Sequence, residues 1–208
     1  MLGLLAAVER DSALTQRHLA RELGIALGLA NAYLRRCAKK GLIKMRQVPL
    51  NRYAYYLTPR GFAEKSRLTA EYLSTSFDFF RQARRDCATL LAAAVERGWR
   101  RVALVGAGEL AEIAVLGAAE SGVDIVAVID AEGPRSCAGR PVVADLAALS
   151  PGAALDAVIV TDMRAPQACY EATLTAAAVQ GLSAERVLAP QLLHITLGKR
   201  PLARGAAR

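Results

Sequence analysis

Aromatic residues are scarce, at 5% of 208 positions, so any core must be assembled from the Ala, Leu and Val that dominate a hydrophobic share of 53%. The four cysteines (Cys37, Cys87, Cys137, Cys169) form no CxxC pair and have no histidine cluster beside them. That spacing excludes a disulfide framework and a zinc site, and leaves them as small apolar residues of a reducing compartment. Only two histidines occur, His18 and His194, which leaves little material for acid–base chemistry at neutral pH. The most apolar stretch, 102–119, is cut by Glu109 and Glu112 and does not qualify as a membrane span. The Leu2–Val8 run lacks a basic lead and meets Glu9-Arg10-Asp11, so it reads as a helix and not as a secretion signal. A cytoplasmic protein without membrane partner is the expectation.

What is present is charge, unevenly placed. Residues 1–85 carry 16 Lys/Arg against 6 Asp/Glu, whereas residues 86–208 carry 11 against 13. A balance of +10 beside one of −2 marks the first part as built to meet a polyanion. The order of elements there agrees. An apolar helix over Leu2–Val8 is followed by Thr15 as N-cap of Gln16–Leu23, Gly24 as its stop, and a second helix over about Leu27–Lys40. In that helix Ala30, Leu34 and Cys37 face inward, while Gly28, Asn31, Ala32, Arg35 and Lys39 face outward. Leu42–Val48 and Tyr53–Leu57 then form a strand pair joined by Pro49-Leu-Asn-Arg52. Helix, glycine turn, helix and hairpin make a winged helix-turn-helix, whose second helix enters the major groove of double-stranded DNA. Asn31 and Arg35 are placed to reach base edges beside the small Gly28 and Ala32, and Arg46, Asn51 and Arg52 on the wing to follow phosphates or a minor groove.

This half resembles the MarR-type winged-helix regulators, and within them the subgroup associated with exopolysaccharide gene clusters. The resemblance is carried by Thr15-Gln-Arg-His-Leu-Ala-Arg-Glu-Leu-Gly24, Lys40-Gly-Leu-Ile-Lys44, Tyr56-Leu-Thr-Pro-Arg-Gly61 and Glu64-Lys-Ser-Arg-Leu-Thr69, over about residues 1–75. It implies a DNA-binding transcriptional regulator. Ala26 departs from it, standing where a Ser or Thr usually caps the recognition helix.

From Pro59 the pattern stays helical to about Arg97, with Ser74-Thr-Ser76 as a possible new cap. Leu73, Phe77, Phe80, Arg84, Cys87, Leu91 and Ala94 recur at heptad-like spacing. Two readings are open: a helix that pairs two copies in a homodimer, and a helix packed on its own sheet.

Arg101-Val-Ala-Leu-Val-Gly-Ala-Gly-Glu-Leu-Ala then reads as strand, glycine turn and helix, and Val123–Asp130 as a second strand ending in an acid. This is the opening unit of a dinucleotide-binding fold. Gly106 permits the turn, Gly108 the approach of a phosphate, and Ala107, Glu109 and Leu110 complete the loop and the first helical turn aimed at it. Asp130 stands where an acid binds a ribose hydroxyl, favouring NAD over NADP. After a turn-rich loop over 131–141 come Val142-Val143, a short helix over Asp145–Leu149, a strand over Leu155–Asp162, a helix over Ala165–Gly181 and a strand at Arg186–Leu188. Thr161 and Asp162 fall at the same sheet edge as Gly106 and Asp130. Val105-Gly-Ala-Gly108, Val128-Ile-Asp130, Gly139-Arg-Pro-Val-Val143 and Asp156-Ala-Val-Ile-Val160 resemble the NAD(H)-sensing domain of the Rex redox repressors. They also resemble the Rossmann domain at the front of polysaccharide-assembly enzymes and sugar acetyltransferases. The resemblance implies NAD(H) or a nucleotide sugar as ligand.

Nothing in the chain supports catalysis: there is no Tyr-x-x-x-Lys pair, no Gly-x-Ser-x-Gly elbow and no substrate domain. The expectation is an α/β protein without metal: a winged helix over 1–60, a linking or dimerisation helix over 61–97, a Rossmann-like domain over 98–198 and a basic tail over 199–208. Two other functions stay open: an enzyme of nucleotide-sugar metabolism with an accessory winged helix, and a DNA-binding protein whose Rossmann-like domain is an empty dimerisation platform.

Overall fold

A computed structural model describes residues 1–48, 52–149 and 154–196; Asn51 and the basic tail lie outside the described residues. The chain divides into two compact units, Met1–Phe77 and Asp78–Arg208.

In the first unit, α1 (Leu2–Arg10), α2 (Gln16–Glu22) and α3 (Leu27–Lys39) precede the antiparallel pair β1 (Ile43–Val48) and β2 (Arg52–Leu57). Leu5, Val8, Leu19, Leu34, Cys37 and Tyr55 form one buried cluster. Thr15 caps α2 by accepting from the His18 N–H at 3.2 Å, and Gly24 leaves the helix at φ +63°, as the sequence predicts. Ala26 gives α3 no side-chain cap.

The Leu-Thr-Pro-Arg-Gly turn has a physical reason for each residue. The Thr58 hydroxyl donates to the Gly41 carbonyl at 2.6 Å and accepts the Gly61 N–H at 3.0 Å. It thus anchors the hairpin and caps the helix that follows. Pro59 takes the first helical position, where no N–H is needed. Gly61 lies so close to the Leu42 carbonyl that no side chain fits.

That helix, α4 (Pro59–Glu96), is continuous. The expected new cap at Ser74–Ser76 does not form, because the Thr75 and Ser76 hydroxyls donate back to the Glu71 and Tyr72 carbonyls one turn earlier. The heptad-like seam divides: Ala83, Cys87 and Leu91 are buried in the second unit's core, whereas Leu73, Phe77 and Phe80 are exposed. Asp86, a buried acid with no signal in the sequence, accepts from Gln82 Nε2 at 2.7 Å and the Leu192 N–H at 2.8 Å. It ties α4 to the last described turn, Gln191–Leu193.

The second unit holds a six-stranded sheet in the order β5-β6-β4-β3-β7-β8. Its strands are β3 (Arg101–Val105), β4 (Asp124–Ile129), β5 (Ser136–Cys137), β6 (Arg140–Val143), β7 (Ala157–Val160) and β8 (Val187–Leu188). All pairings are parallel except β5 with β6. The continuous apolar runs of β3, β4 and β7 fit strands covered on both faces, and α5 (Glu109–Ser121) and α6 (Pro166–Val179) belong to the same core. The chain starts at β3, builds outward through β4 to β6, then returns to β7 on the other side. This is a Rossmann-like α/β unit with its switch point between β3 and β7.

The 131–141 stretch is more ordered than a plain loop: Ser136 and Cys137 pair with Pro141 and Arg140 around Ala138 (φ +47°) and Gly139 (φ +76°). Two successive positive φ angles make the hairpin turn. Alanine in the first of them hides the turn from a sequence reading. The strand expected over Leu155–Asp162 is Ala157–Val160, with the Asp156 and Thr161 N–H groups still donating to the Arg101 and Val105 carbonyls at its ends and the Asp156 carboxylate accepting the Arg100 and Arg101 N–H groups at 2.8 and 2.9 Å.

Candidate nucleic-acid interface and switch-point site

The switch point gathers Gly106, Asp130, Thr161 and Asp162, as expected. Gly106 has φ +104°, and a β-carbon there would stand 2.5 Å from the Asp162 nitrogen. Thr161 is buried and locks this contact, its hydroxyl donating to the Gly106 carbonyl at 2.7 Å and its N–H to the Val105 carbonyl at 2.7 Å. Gly108 is different: a β-carbon on it would meet nothing within 4 Å. The space before the turn is open at Gly108 and closed at Gly106.

Ala107 gives its N–H to Asp130 Oδ2 at 3.0 Å, and the Gly108 N–H is directed at the Cys137 sulfur. Glu109 opens α5 and is exposed, while Leu110 is buried in the core. In an α-helix the first-turn N–H groups have no preceding carbonyl to bond, so this end of α5 suits an anionic group.

Asp130 is not open to solvent. Its side chain is 3% exposed; Oδ1 accepts the Glu132 N–H at 3.0 Å, and Oδ2 accepts both Ala107 N–H and Arg164 Nη2, the latter at 2.8 Å. Gly133 closes over it, since a β-carbon at 133 would come within 2.9 Å of Asp130 Cβ. The carboxylate expected to meet a ribose is occupied by the protein itself. Asp162 accepts the Arg164 and Ala165 N–H groups at 2.6 and 3.1 Å and the Arg164 guanidinium at 3.0 Å.

Arg164 is the residue a motif reading passes over. The fingerprint has no position for it, and the one available signal was a cation two residues beyond an acid at a strand tip. His194 is exposed and adds nothing to this site. Burial pushes all four thiols up, Cys87 to about 11, so none is a thiolate at neutral pH. Among the described residues no group of His, Cys, Asp and Glu could hold a metal ion, and no helix is long and apolar enough to cross a membrane.

Burial alone would raise the Asp162 carboxyl, but hydrogen bonds from the Arg164 side chain and from the Ala165 and Arg164 N–H groups bring it below its ordinary value of 3.8. A carboxyl depressed by folding adds stability above its unfolded pKa and loses it as pH falls through the folded one. Asp162→Asn therefore flattens the acid limb. Melting temperatures of wild type and variant, measured between about pH 6 and pH 2.5, should converge below about pH 4; parallel curves would contradict this.

In the first unit, α3 turns Gly28, Ala32, Arg35 and Lys39 away from the face that buries Ala30, Leu34 and Cys37. A β-carbon at Gly28 would meet nothing, so with Ala32 this face is low enough for a groove wall to approach. Among the described residues Arg35, Arg36, Lys39, Lys44 and Arg46 make no ion pair. Elsewhere in this unit Arg10 pairs with Glu22, Lys65 with Glu9, and Arg67 with Glu64 and Glu71, while Arg17 and Arg21 of α2 and Arg60 of α4 also make no ion pair among the described residues. Unneutralised positive charge thus lies on α2, α3, β1 and the start of α4. Asn31 sits on the flank of α3, half-buried, with its Oδ1 buried and without a partner. A two-point contact to adenine needs both ends of the amide free, and here the acceptor is turned inward. A cavity of about 360 Å³ opens where Thr15 and Arg17 of α2, Leu27 of α3 and Tyr53 of β2 meet.

A family model described as winged helix-turn-helix DNA-binding matches residues 2–44. The chain carries an N-terminal winged helix-turn-helix DNA-binding domain. No curated protein matches the chain. The second helix of a helix-turn-helix is the one that enters the groove; here it is α3, on which Arg35, Arg36 and Lys39 are exposed. Arg46 is exposed on β1 and Arg52 begins β2, so the wing carries both. Asn51, assigned to the wing tip from sequence, lies outside the described residues.

Proposed function

We propose that the chain is a homodimeric, cytoplasmic transcriptional regulator of the MarR type. Its winged helix reads DNA and its Rossmann-like unit senses a nucleotide, NAD(H) before a nucleotide sugar, without catalysing a reaction. The observation that carries this reading is the union in one chain of a winged helix-turn-helix that carries unpaired cations on α2, α3 and β1 with a glycine turn at a switch point. The exposed Leu73, Phe77 and Phe80 of α4 support pairing of two copies, since apolar side chains in line on one helix are rarely left in water. The resemblance to regulators of exopolysaccharide clusters supports polysaccharide genes as targets.

One observation favours a second reading. The Asp130 carboxylate is buried and accepts from Ala107, Glu132 and Arg164, which suits a Rossmann-like unit that is a scaffold with no ligand. Thermal shift separates the two, because a ligand that binds the native state raises its melting temperature in proportion to ln(1 + [L]/Kd). A shift with NADH or a UDP-sugar supports the sensor, and no shift with any nucleotide supports the scaffold.

On the DNA side, Arg35→Ala should weaken binding to a selected duplex by about 1–3 kcal/mol while sparing random DNA. Arg46→Ala should weaken both alike and lower the salt slope by about 1. Anisotropy titrations at several salt concentrations read both effects. Equal losses on selected and random DNA for Arg35→Ala would remove it from base recognition.

A further inference from the structure

We propose that Arg164 is the phosphate-binding cation of the switch-point site. This rests on the nucleotide-sensing reading and names the residue that makes it chemically possible. Strand order is the first support. β3 lies between β4 and β7, and the glycine turn closes its end. Arg164 belongs to the tip of β7 yet reaches Asp130 at the tip of β4 with Nη2 at 2.8 Å, while Nε and Nη2 hold Asp162 at 3.2 and 3.0 Å. Its guanidinium therefore spans the end of β3, across the mouth of the glycine turn, where a diphosphate would meet the start of α5.

Exposure is the second. Asp130 and Asp162 are 3% and 11% exposed, but the Arg164 side chain is 60% exposed. Nη1, with two N–H donors, makes no hydrogen bond to a described residue. Each carboxylate also takes two backbone N–H groups. The acids thus hold two nitrogens of the fork and leave the third facing outward, the arrangement of a positioned donor.

Charge is the third. The segments that reach the switch point, 106–112, 130–133 and 161–165, contain Glu109, Glu112, Asp130, Glu132 and Asp162, and a single cation, Arg164. A polyphosphate placed among those carboxylates is repelled unless that cation meets it. The ligand class on this reading is a nucleoside carrying phosphate, with Arg164 setting its preference over the bare nucleoside.

The test compares the full-length wild type with Arg164→Gln and Arg164→Lys, using ADP and UDP as probes and adenosine and uridine as their phosphate-free partners, by calorimetric titration. Arg164→Gln is expected to weaken ADP or UDP by at least about tenfold and to leave the matching nucleoside within about twofold. Arg164→Lys, which keeps the charge but loses the planar fork that holds the two acids, falls between. Unchanged diphosphate affinity in both variants would show that Arg164 is only a clamp and overturn the assignment. Equal loss of diphosphate and nucleoside would overturn it too, as damage to the site's shape. If the folded wild type binds none of the four probes, the nucleotide reading itself fails and the assignment falls with it.

Discussion

Replacing Gly61 by alanine is expected to destabilise the winged helix-turn-helix domain strongly. A β-carbon at this position stands 2.0 Å from the Leu42 carbonyl oxygen and 3.1 Å from Leu57 Cδ2. The first of these is backbone, and it is held in place: Leu42 accepts the Thr58 N–H at 3.1 Å, and Thr58 in turn holds Gly41. Relief of the contact requires the start of α4 to part from the base of the hairpin, which breaks those bonds and uncovers Tyr55 and Leu42. A cost of about 3 kcal/mol or more follows from overpacking against immobile atoms. That amounts to a fall in melting temperature on the order of 10 °C for a unit of this size. Circular dichroism melting reads it, with Gly28→Ala as control. Gly28 is also helical, but has nothing within 4 Å, and alanine there should not lower the melting temperature. A Gly61→Ala protein melting within about 2 °C of wild type would contradict the packing described.

In the second unit, Gly106→Ala and Gly108→Ala should behave oppositely although they are two residues apart in one motif. At Gly106 the backbone has φ +104°, and the new carbon would lie 2.5, 2.6 and 2.7 Å from the N, Cα and Cβ of Asp162. Conformational strain of about 1–3 kcal/mol adds to separation of the β3 and β7 tips and loss of the Thr161 bonds to Gly106 and Val105. The total is about 3–5 kcal/mol. Gly108 is extended, with φ 173°, a conformation open to any residue, and its surroundings are empty. Alanine there should change stability by no more than about 0.5 kcal/mol. If a phosphate approaches this turn, Gly108→Ala removes nucleotide binding from a protein that is otherwise intact. Full nucleotide binding by a stable Gly108→Ala variant would mean that the ligand does not pass over this residue.

Period and punctuation made most of the architecture legible. Ala30, Leu34 and Cys37 are buried at helical spacing as the pattern requires, Thr15 and Gly24 bound α2, and the apolar runs of β3, β4 and β7 lie in a parallel sheet. What escaped were features set by tertiary contact. Asp130 follows β4 at the switch point as the pattern requires, but its partners depend on where Arg164 and the 131–133 turn come to lie, which no local spacing reveals. Ser74–Ser76 looks like a cap by composition, yet hydroxyl groups within a long helix can bond backward and leave it unbroken. The α4 seam illustrates the same limit: identical spacing led to burial at Cys87 and Leu91, beneath which a sheet lies, and to exposure at Leu73 and Phe77.

The most direct test of a nucleotide-governed DNA-binding protein is the affinity of the full-length chain for a duplex it has itself selected from random sequence, titrated with and without saturating NADH and UDP-sugar at one fixed salt concentration. A ligand that regulates must favour one arrangement of the protein over another. The expected result is a change in DNA affinity of about fivefold or more with one of the two nucleotides. The same affinity in the presence of every nucleotide that binds would contradict the regulatory link, and leave a winged-helix DNA-binding protein whose second unit serves another purpose.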